Sequence, residues 1–152
     1  MKPRAAVILI LNEKIALIER HRSGKHYFVF PGGKIESGET PATAAQREIM
    51  EELGLQVKIG RLVAEVWYQG SPQYYFLADR TGGQFGHGDG AEMGSQADSD
   101  KGSHQPVWLR VDDLHKHQIL PKLVADFVFK SHHSRWPEQP LVVTERPPDE
   151  AI

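Results

Sequence analysis

Glu39, Arg47, Glu48, Glu51 and Glu52 are the residues of this 152-residue chain whose types and spacing point most directly to chemistry. If residues 42–53 are helical, each position advances about 100°, so Glu51 and Glu52 fall within roughly 60° of Glu48 on either side. Three carboxylates then share one face. Like charges at that spacing repel and weakly destabilise a helix, so the cluster calls for a bound cation. Hard carboxylate oxygens suit Mg²⁺, with Mn²⁺ as the alternative. An isolated Glu-Glu pair would be read differently, as a solvated face or as an i,i+4 salt bridge such as Arg47 with Glu51.

A helix is what must position these groups, and its signals are strong. Thr40 suits an N-cap, Pro41 suits a first helical position, and Gly54 follows the last periodic residue. Ala42, Ala45, Ile49 and Leu53 form an apolar stripe beside the acidic one, so the helix can pack on a sheet with its glutamates at the rim of a cleft. Upstream, residues 5–11 and 15–19 read as two strands paired antiparallel around Asn12-Glu13-Lys14. Residues 28–30 read as a short strand that stops at Pro31-Gly32-Gly33, where the glycines allow unusual backbone angles. Residues 57–68, 74–79 and 106–111 read as further strands, the first two joined around Gly70-Ser71-Pro72, and residues 112–118 and 120–131 as helical segments. Residues 81–104 carry seven glycines without periodicity and read as a loop flanking the site. Residues 136–152 are proline-rich, with one β-prone patch at Leu141-Val142-Val143, and read as a tail lying on the domain or on a partner.

Composition bounds the function. With 39% apolar residues the chain can bury the core of one domain, and 18 basic against 20 acidic residues leave no field that favours nucleic acid or an anionic membrane. There is no cysteine for disulfides or thiolate metal sites, and the eight histidines show no paired ligand spacing in the sequence. The apolar run at residues 7–11 is too short to cross a bilayer, so a cytoplasmic location is the expectation.

Gly33, Glu39, Arg47, Glu48, Glu51, Glu52 and Gly54, with aliphatic Ile49 and Leu55, match every defined position of Gly-x5-Glu-x7-Arg-Glu-U-x-Glu-Glu-x-Gly-U, where U is aliphatic. The segment therefore resembles the Nudix box, and Phe30-Pro31-Gly32-Gly33 resembles that family's entry into it. The resemblance implies an α/β/α sandwich, an α+β fold with a mixed β-sheet between helices, over a domain of residues 1–135 followed by the tail at 136–152. It implies Mg²⁺-dependent hydrolysis of a diphosphate linkage. A MutT-like nucleoside triphosphate or modified-nucleotide pyrophosphohydrolase leads, with an ADP-ribose or dinucleoside polyphosphate pyrophosphatase as the alternative. A nucleotide-sensing module without turnover would be expected to have lost box glutamates, and here all are intact.

By the same resemblance Glu48 and Glu52 are the principal metal ligands, Glu51 is a further ligand or orients water, and the Gly32 carbonyl is available to the metal. Arg47 would hold the glutamates, Glu39 would support the helix start, and Gly33 and Gly54 would meet backbone requirements. The general base would be Glu51, or Glu92 from the glycine loop. For phosphate oxygens Arg20 and Arg22, with Lys25 beside them, are the cations upstream of the box. For a nucleobase, Phe28 and Tyr75 are the aromatic candidates, ahead of Trp67 and Tyr68. The expected partner is a small nucleotide or nucleoside diphosphate derivative, with no membrane and no nucleic acid as main partner, and homodimerisation is left open.

Overall fold

The computed structural model describes residues 2–86 and 102–145. The strands, in chain order, are β1 (Arg4–Ile8), β2 (Ile10–Leu11), β3 (Lys14–Arg22), β4 (Lys25–Val29), β5 (Gly32–Lys34), β6 (Leu55–Tyr68), β7 (Ser71–Gly83), β8 (Ser103–Arg110), β9 (Ile119–Leu120) and β10 (Leu141–Glu145). Helix α1 (Pro41–Leu53) lies between β5 and β6, a 3-10 turn (Val111–Lys116) follows β8, and α2 (Lys122–His133) follows β9.

One sheet has the order β10-β6-β7-β1-β5 and is mixed: β1 runs parallel to β7 and β10 parallel to β6, while β6–β7 and β1–β5 are antiparallel. The second has the order β2-β3-β4-β9, with β8 antiparallel to β3. Strand alternation divides the core. On β1, Ala5 and Val7 join the cluster that takes in Ala44, Ala45, Ile49 and Leu53 of α1. Ile8 joins the cluster that takes in Val124, Ala125 and Val128 of α2. A helix therefore covers each face, as expected from the α/β/α resemblance.

Helix α1 begins and ends where its residues dictate. Thr40 Oγ1 accepts from the Thr43 amide at 3.1 Å, Pro41 opens the helix, and Gly54, at φ 75°, gives its amide to the Met50 carbonyl. Elsewhere tertiary pairing moves the expected boundaries. The run at 5–11 is divided at Leu9 between the two sheets, so only Ile10 and Leu11 pair with β3 across the Asn12-Glu13 turn, whose residues sit at φ 50° and 65°. The β6–β7 turn is at Gln69-Gly70, which leaves Ser71 and Pro72 inside β7. Thr81, Gly82 and Gly83 belong to β7, and Ser103 and His104 to β8, so the expected loop of residues 81–104 is shorter at both ends. Residues 112–118 take a 3-10 rather than an α conformation over most of their length. Within residues 136–152, Val142 and its neighbours form β10 at the sheet edge, aligned with β6 from Ala64 to Tyr68.

The C-terminal end of α2 is fastened to both β-hairpin and 3-10 turn by histidines. His132 Nε2 lies 2.8 Å from Glu13 Oε1, and His133 Nε2 lies 2.5 Å from Asp112 Oδ1. His133 Nδ1 also faces the Phe129 carbonyl at 2.7 Å. Only an imidazolium donates from both nitrogens, so these acceptors raise the His133 pKa, the Phe129 carbonyl foremost and the Asp112 carboxylate next. A pKa raised on folding adds stability that is complete below the ordinary histidine value and is lost as pH rises through the folded one. We predict that the His133 ring, followed by NMR, titrates above about 6.5, and that Asp112→Asn lowers that value and flattens the fall in stability across the same pH interval. A His133 titrating at or below the ordinary value would contradict the arrangement.

Candidate active site

Arg47 organises the acidic segment. Its Nε donates to Glu39 Oε2 at 2.7 Å and its Nη2 to Glu39 Oε1 at 2.9 Å, a two-pronged pairing of guanidinium and carboxylate. Nη1 donates to Glu48 Oε1 at 2.9 Å and reaches Glu51 at 3.3 Å, while Nη2 also meets the Lys34 carbonyl at 3.0 Å. One side chain thus joins α1 to the end of β5 and to the loop before the helix. Glu39 additionally accepts from the Glu36 amide, and with Arg47 as the larger cause its pKa is lowered to about 2. Its partner is therefore a side chain of α1 rather than the positive end of the helix.

Glu48 is half-buried, and loss of solvent pushes its pKa up against the opposing pull of Arg47. Glu52 is buried, and its Oε1 accepts from the Gly32 amide at 2.6 Å. Gly32 and Gly33 take no positive φ here, so the expectation of unusual backbone angles does not hold for them. Proximity is what demands glycine. A Cβ on Gly33 would overlap the Glu48 carboxylate, and one on Gly32 would overlap the backbone of β1 at Ala5 and Ala6. Gly54 is the residue that occupies the left-handed region.

Glu52, Gly32 and Gly33 line a cleft of about 520 Å³, and Glu48 and Glu51 lie outside that lining. The rest of its lining comes from β1, from Gln73, Tyr74 and Tyr75 on β7, from the second sheet, and from the Leu120-Pro121 junction. Ile18, Arg20 and Arg22 alternate along β3 and so turn the same face to the cleft, with Val29 opposite Ile18 and His104 opposite Arg20 on the neighbouring strands. Arg20 Nε donates to the Ser103 carbonyl at 2.9 Å, and its guanidinium carbon stands 5.9 Å from the centre of the Tyr27 ring. Arg4, on β1, adds a third arginine to the lining.

The structure therefore gathers Gly32, Gly33, Glu52, Arg20, Arg22 and Tyr75 around one cavity. Tyr75 is largely buried, its ring edge-on to Phe30 at 5.6 Å, so it forms wall more than open stacking surface. Phe28 is not placed there. It follows the opposite alternation on β4, is buried in the α2-side core, and contacts the ring of His117. Trp67, Tyr68 and Lys25 are likewise absent from the lining. Glu92 lies outside the described residues. Sequence reasoning does not single out Arg4 or His104: Arg4 stands just ahead of the expected strand at residues 5–11 but opens β1, and His104 ends the expected loop at 81–104 but belongs to β8. The period-two alternation of a strand beginning at Ser103 would have found His104 only if the cross-strand register were known.

The donor set fits a hard divalent cation. Glu48, Glu51 and Glu52 offer carboxylate oxygens, and burial disfavours the Glu48 charge even with Arg47 on it, which a bound divalent cation would offset. Glu48 and Glu51 share Arg47 as a partner, whereas Glu52 is held by the Gly32 amide.

Comparison with known proteins agrees with this architecture. The family model described as NUDIX domain matches residues 1–128. The chain is 35% identical over 103 residues to an 8-oxo-(d)GTP phosphatase of Mycolicibacterium smegmatis, a match covering 65% of this chain and 28% of that protein. It is 42% identical over 57 residues to an RNA pyrophosphohydrolase of Yersinia enterocolitica, covering 38% of this chain and 33% of that protein. The matched segments thus span about a third or less of these curated relatives. A crystal structure of a NUDIX hydrolase from Nitrosomonas europaea superposes with a TM-score of 0.71 at 18% identity, covering 96% of this chain and 79% of that one, which is a likeness of fold. With the box on a capped helix and the family model spanning most of its length, this chain belongs to the Nudix family.

Proposed function

We propose that this protein hydrolyses a diphosphate linkage in a nucleoside triphosphate or modified nucleotide, in the manner of a MutT-like pyrophosphohydrolase. The observation that supports this reading best is one cleft lined both by Glu52 with Gly32 and Gly33 and by Arg4, Arg20 and Arg22. Anion-binding and cation-binding groups thus share a cavity of the size of small-molecule sites. Tyr74, partly exposed in the same cavity, supplies aromatic surface for a nucleobase, and the buried rings of Tyr75 and Phe30 form the wall beside it.

In this reading Glu48, Glu51 and Glu52, with the Gly32 carbonyl, would hold Mg²⁺, or Mn²⁺ in its place. When bound, the ion neutralises phosphate charge and lowers the pKa of the attacking water. The chain supplies the rest. Arg47 keeps Glu48 and Glu51 oriented, and Gly33 lets the Glu48 carboxylate lie against the strand. The cleft arginines would bind the phosphate oxygens and hold the linkage in line with the water. Glu51, partly exposed beside the cluster, would accept the proton released as the phosphorus–oxygen bond forms, and the phosphate fragment leaves from the opposite side.

The relatives' names define the substrate panel: an oxidised guanosine triphosphate, the unmodified triphosphates, and an RNA bearing a 5′-triphosphate, together with ADP-ribose and a dinucleoside polyphosphate. With Mg²⁺ and product identification, the panel is expected to yield cleavage of a diphosphate linkage in a mononucleotide. Equal turnover by wild type and Glu52→Gln would sink the metal role, and no cleavage of any member would favour a sensing module. Arg47→Lys is expected to lower Mg²⁺ affinity or activity by about 10–100-fold, because an ammonium cannot reproduce the fork on Glu39 while reaching Glu48 and Glu51. Glu52→Gln should lose more than Arg47→Lys. Gly33→Ala should displace the Glu48 carboxylate and reduce activity while circular dichroism and thermal unfolding show a folded domain; wild-type activity in that variant would refute the close-approach argument.

A further inference from the structure

On the face of β3 and β4 turned away from the cleft, the geometry points to a second metal site, built from Glu19, His21 and His26, that takes a late transition-metal dication such as Zn²⁺. Among the described residues this is the group of three metal-ligating side chains whose ligand atoms all lie within 4.8 Å of one another. Two local rules bring them together. Glu19 and His21 are two apart on β3 and so share a face, and the tight Ser23-Gly24 turn sets His26 directly opposite His21. The imidazoles of His21 and His26 stack at 4.2 Å between centres and 3° between planes, so one ring must turn out of the stack for both to ligate one ion, and His26 Nε2 lies 2.7 Å from Glu19 Oε2.

Neighbouring groups flank these ligands. The His26 ring rests against Phe28 at 5.2 Å, and His21 Nδ1 lies 3.5 Å from Ser103 Oγ, a polar partner of the kind that orients a ligating ring. Two imidazoles and one carboxylate are a common zinc donor set and leave room for water as a further ligand. The same hairpin end carries Arg22 and Lys25, whose charges oppose a hard cation held by charge alone. Imidazole nitrogen therefore selects the metal, and Mg²⁺ is not the expected occupant. Since His21 and His26 are exposed at a two-residue hairpin, coordination would cross-link β3 to β4 near the turn. Arg20 and Arg22 project from the other face of that hairpin into the cleft, so the metal would stiffen the strand that presents them. The site shares no residue with the box or with the cleft lining.

The test uses the full chain with saturating Mg²⁺ present to occupy the box carboxylates, and Zn²⁺ alone as the added probe. Equimolar Zn²⁺ is expected to shift the ring resonances of His21 and His26 in NMR spectra and to bind in calorimetry at one site. His26→Gln and His21→Gln should each weaken that binding at least tenfold, and Glu19→Gln should weaken it measurably. At about a hundredfold excess of free Zn²⁺ over its Kd, the wild-type unfolding midpoint should rise by about 5 °C or more, a rise that His26→Gln abolishes. Wild-type and His26→Gln proteins should keep equal Mg²⁺-dependent turnover, which shows that the variant is folded and that its loss is local. Unmoved His21 and His26 resonances, or undiminished Zn²⁺ affinity in both histidine variants, would overturn the site.

Discussion

The guanidinium of Arg47 is the contact on which the candidate active site depends. It donates to carboxylates before the helix and within it, and to a carbonyl at the end of β5, so helix, loop and strand are held in one relation. Without a cation at that point, Glu39, Glu48 and Glu51 would repel one another across a small space. The arrangement also spreads the charge unequally. Glu39 is strongly stabilised as a carboxylate, whereas Glu48 stays disfavoured by burial despite the same partner. A desolvated carboxylate left short of positive charge is the chemical condition in which a divalent cation gains most.

Close approach is the second constraint. Gly33 lets the Glu48 carboxylate lie against β5, and Gly32 lets β5 lie against β1, so the acidic end of the cleft is packed without intervening side chains. The buried Glu52 is satisfied by a backbone amide from the same strand. Apolar burial of Ala45, Ile49 and Leu53 then fixes the rotation of the helix about its axis. The same rotation that buries these residues brings Glu52 inward and leaves Glu51 partly exposed.

The two faces of the second sheet divide different chemistry between alternate residues of one strand. Arg20 and Arg22 look into the cleft, whereas Glu19 and His21 look outward beside His26. Phe28 follows the outward set into the α2-side core, which is why an aromatic so near the box is not part of the cleft. A shift of one residue in the pairing of β3 would exchange the two sets, so cross-strand register decides which side chains line the cleft.

Local rules made α1 and its chemistry legible without coordinates. Thr40, Pro41 and Gly54 mark the helix ends, and the spacing of Glu48, Glu51 and Glu52 places them on one face because helical periodicity depends only on nearby residues. The same holds for the Asn12-Glu13 turn and for the middle of the longer strands. What local rules do not contain is the partner and register of each strand. The division of residues 5–11 between two sheets, the meeting of His21 with His26, the recruitment of Arg4 and His104 to the cleft and the addition of β10 to the sheet edge all arise from pairings set by tertiary packing. Sequence alone thus determined the box helix and its family, because both are written in short-range spacing. Tertiary structure decided which strand residues surround it, because a strand side chain acquires its neighbours only when distant segments pair.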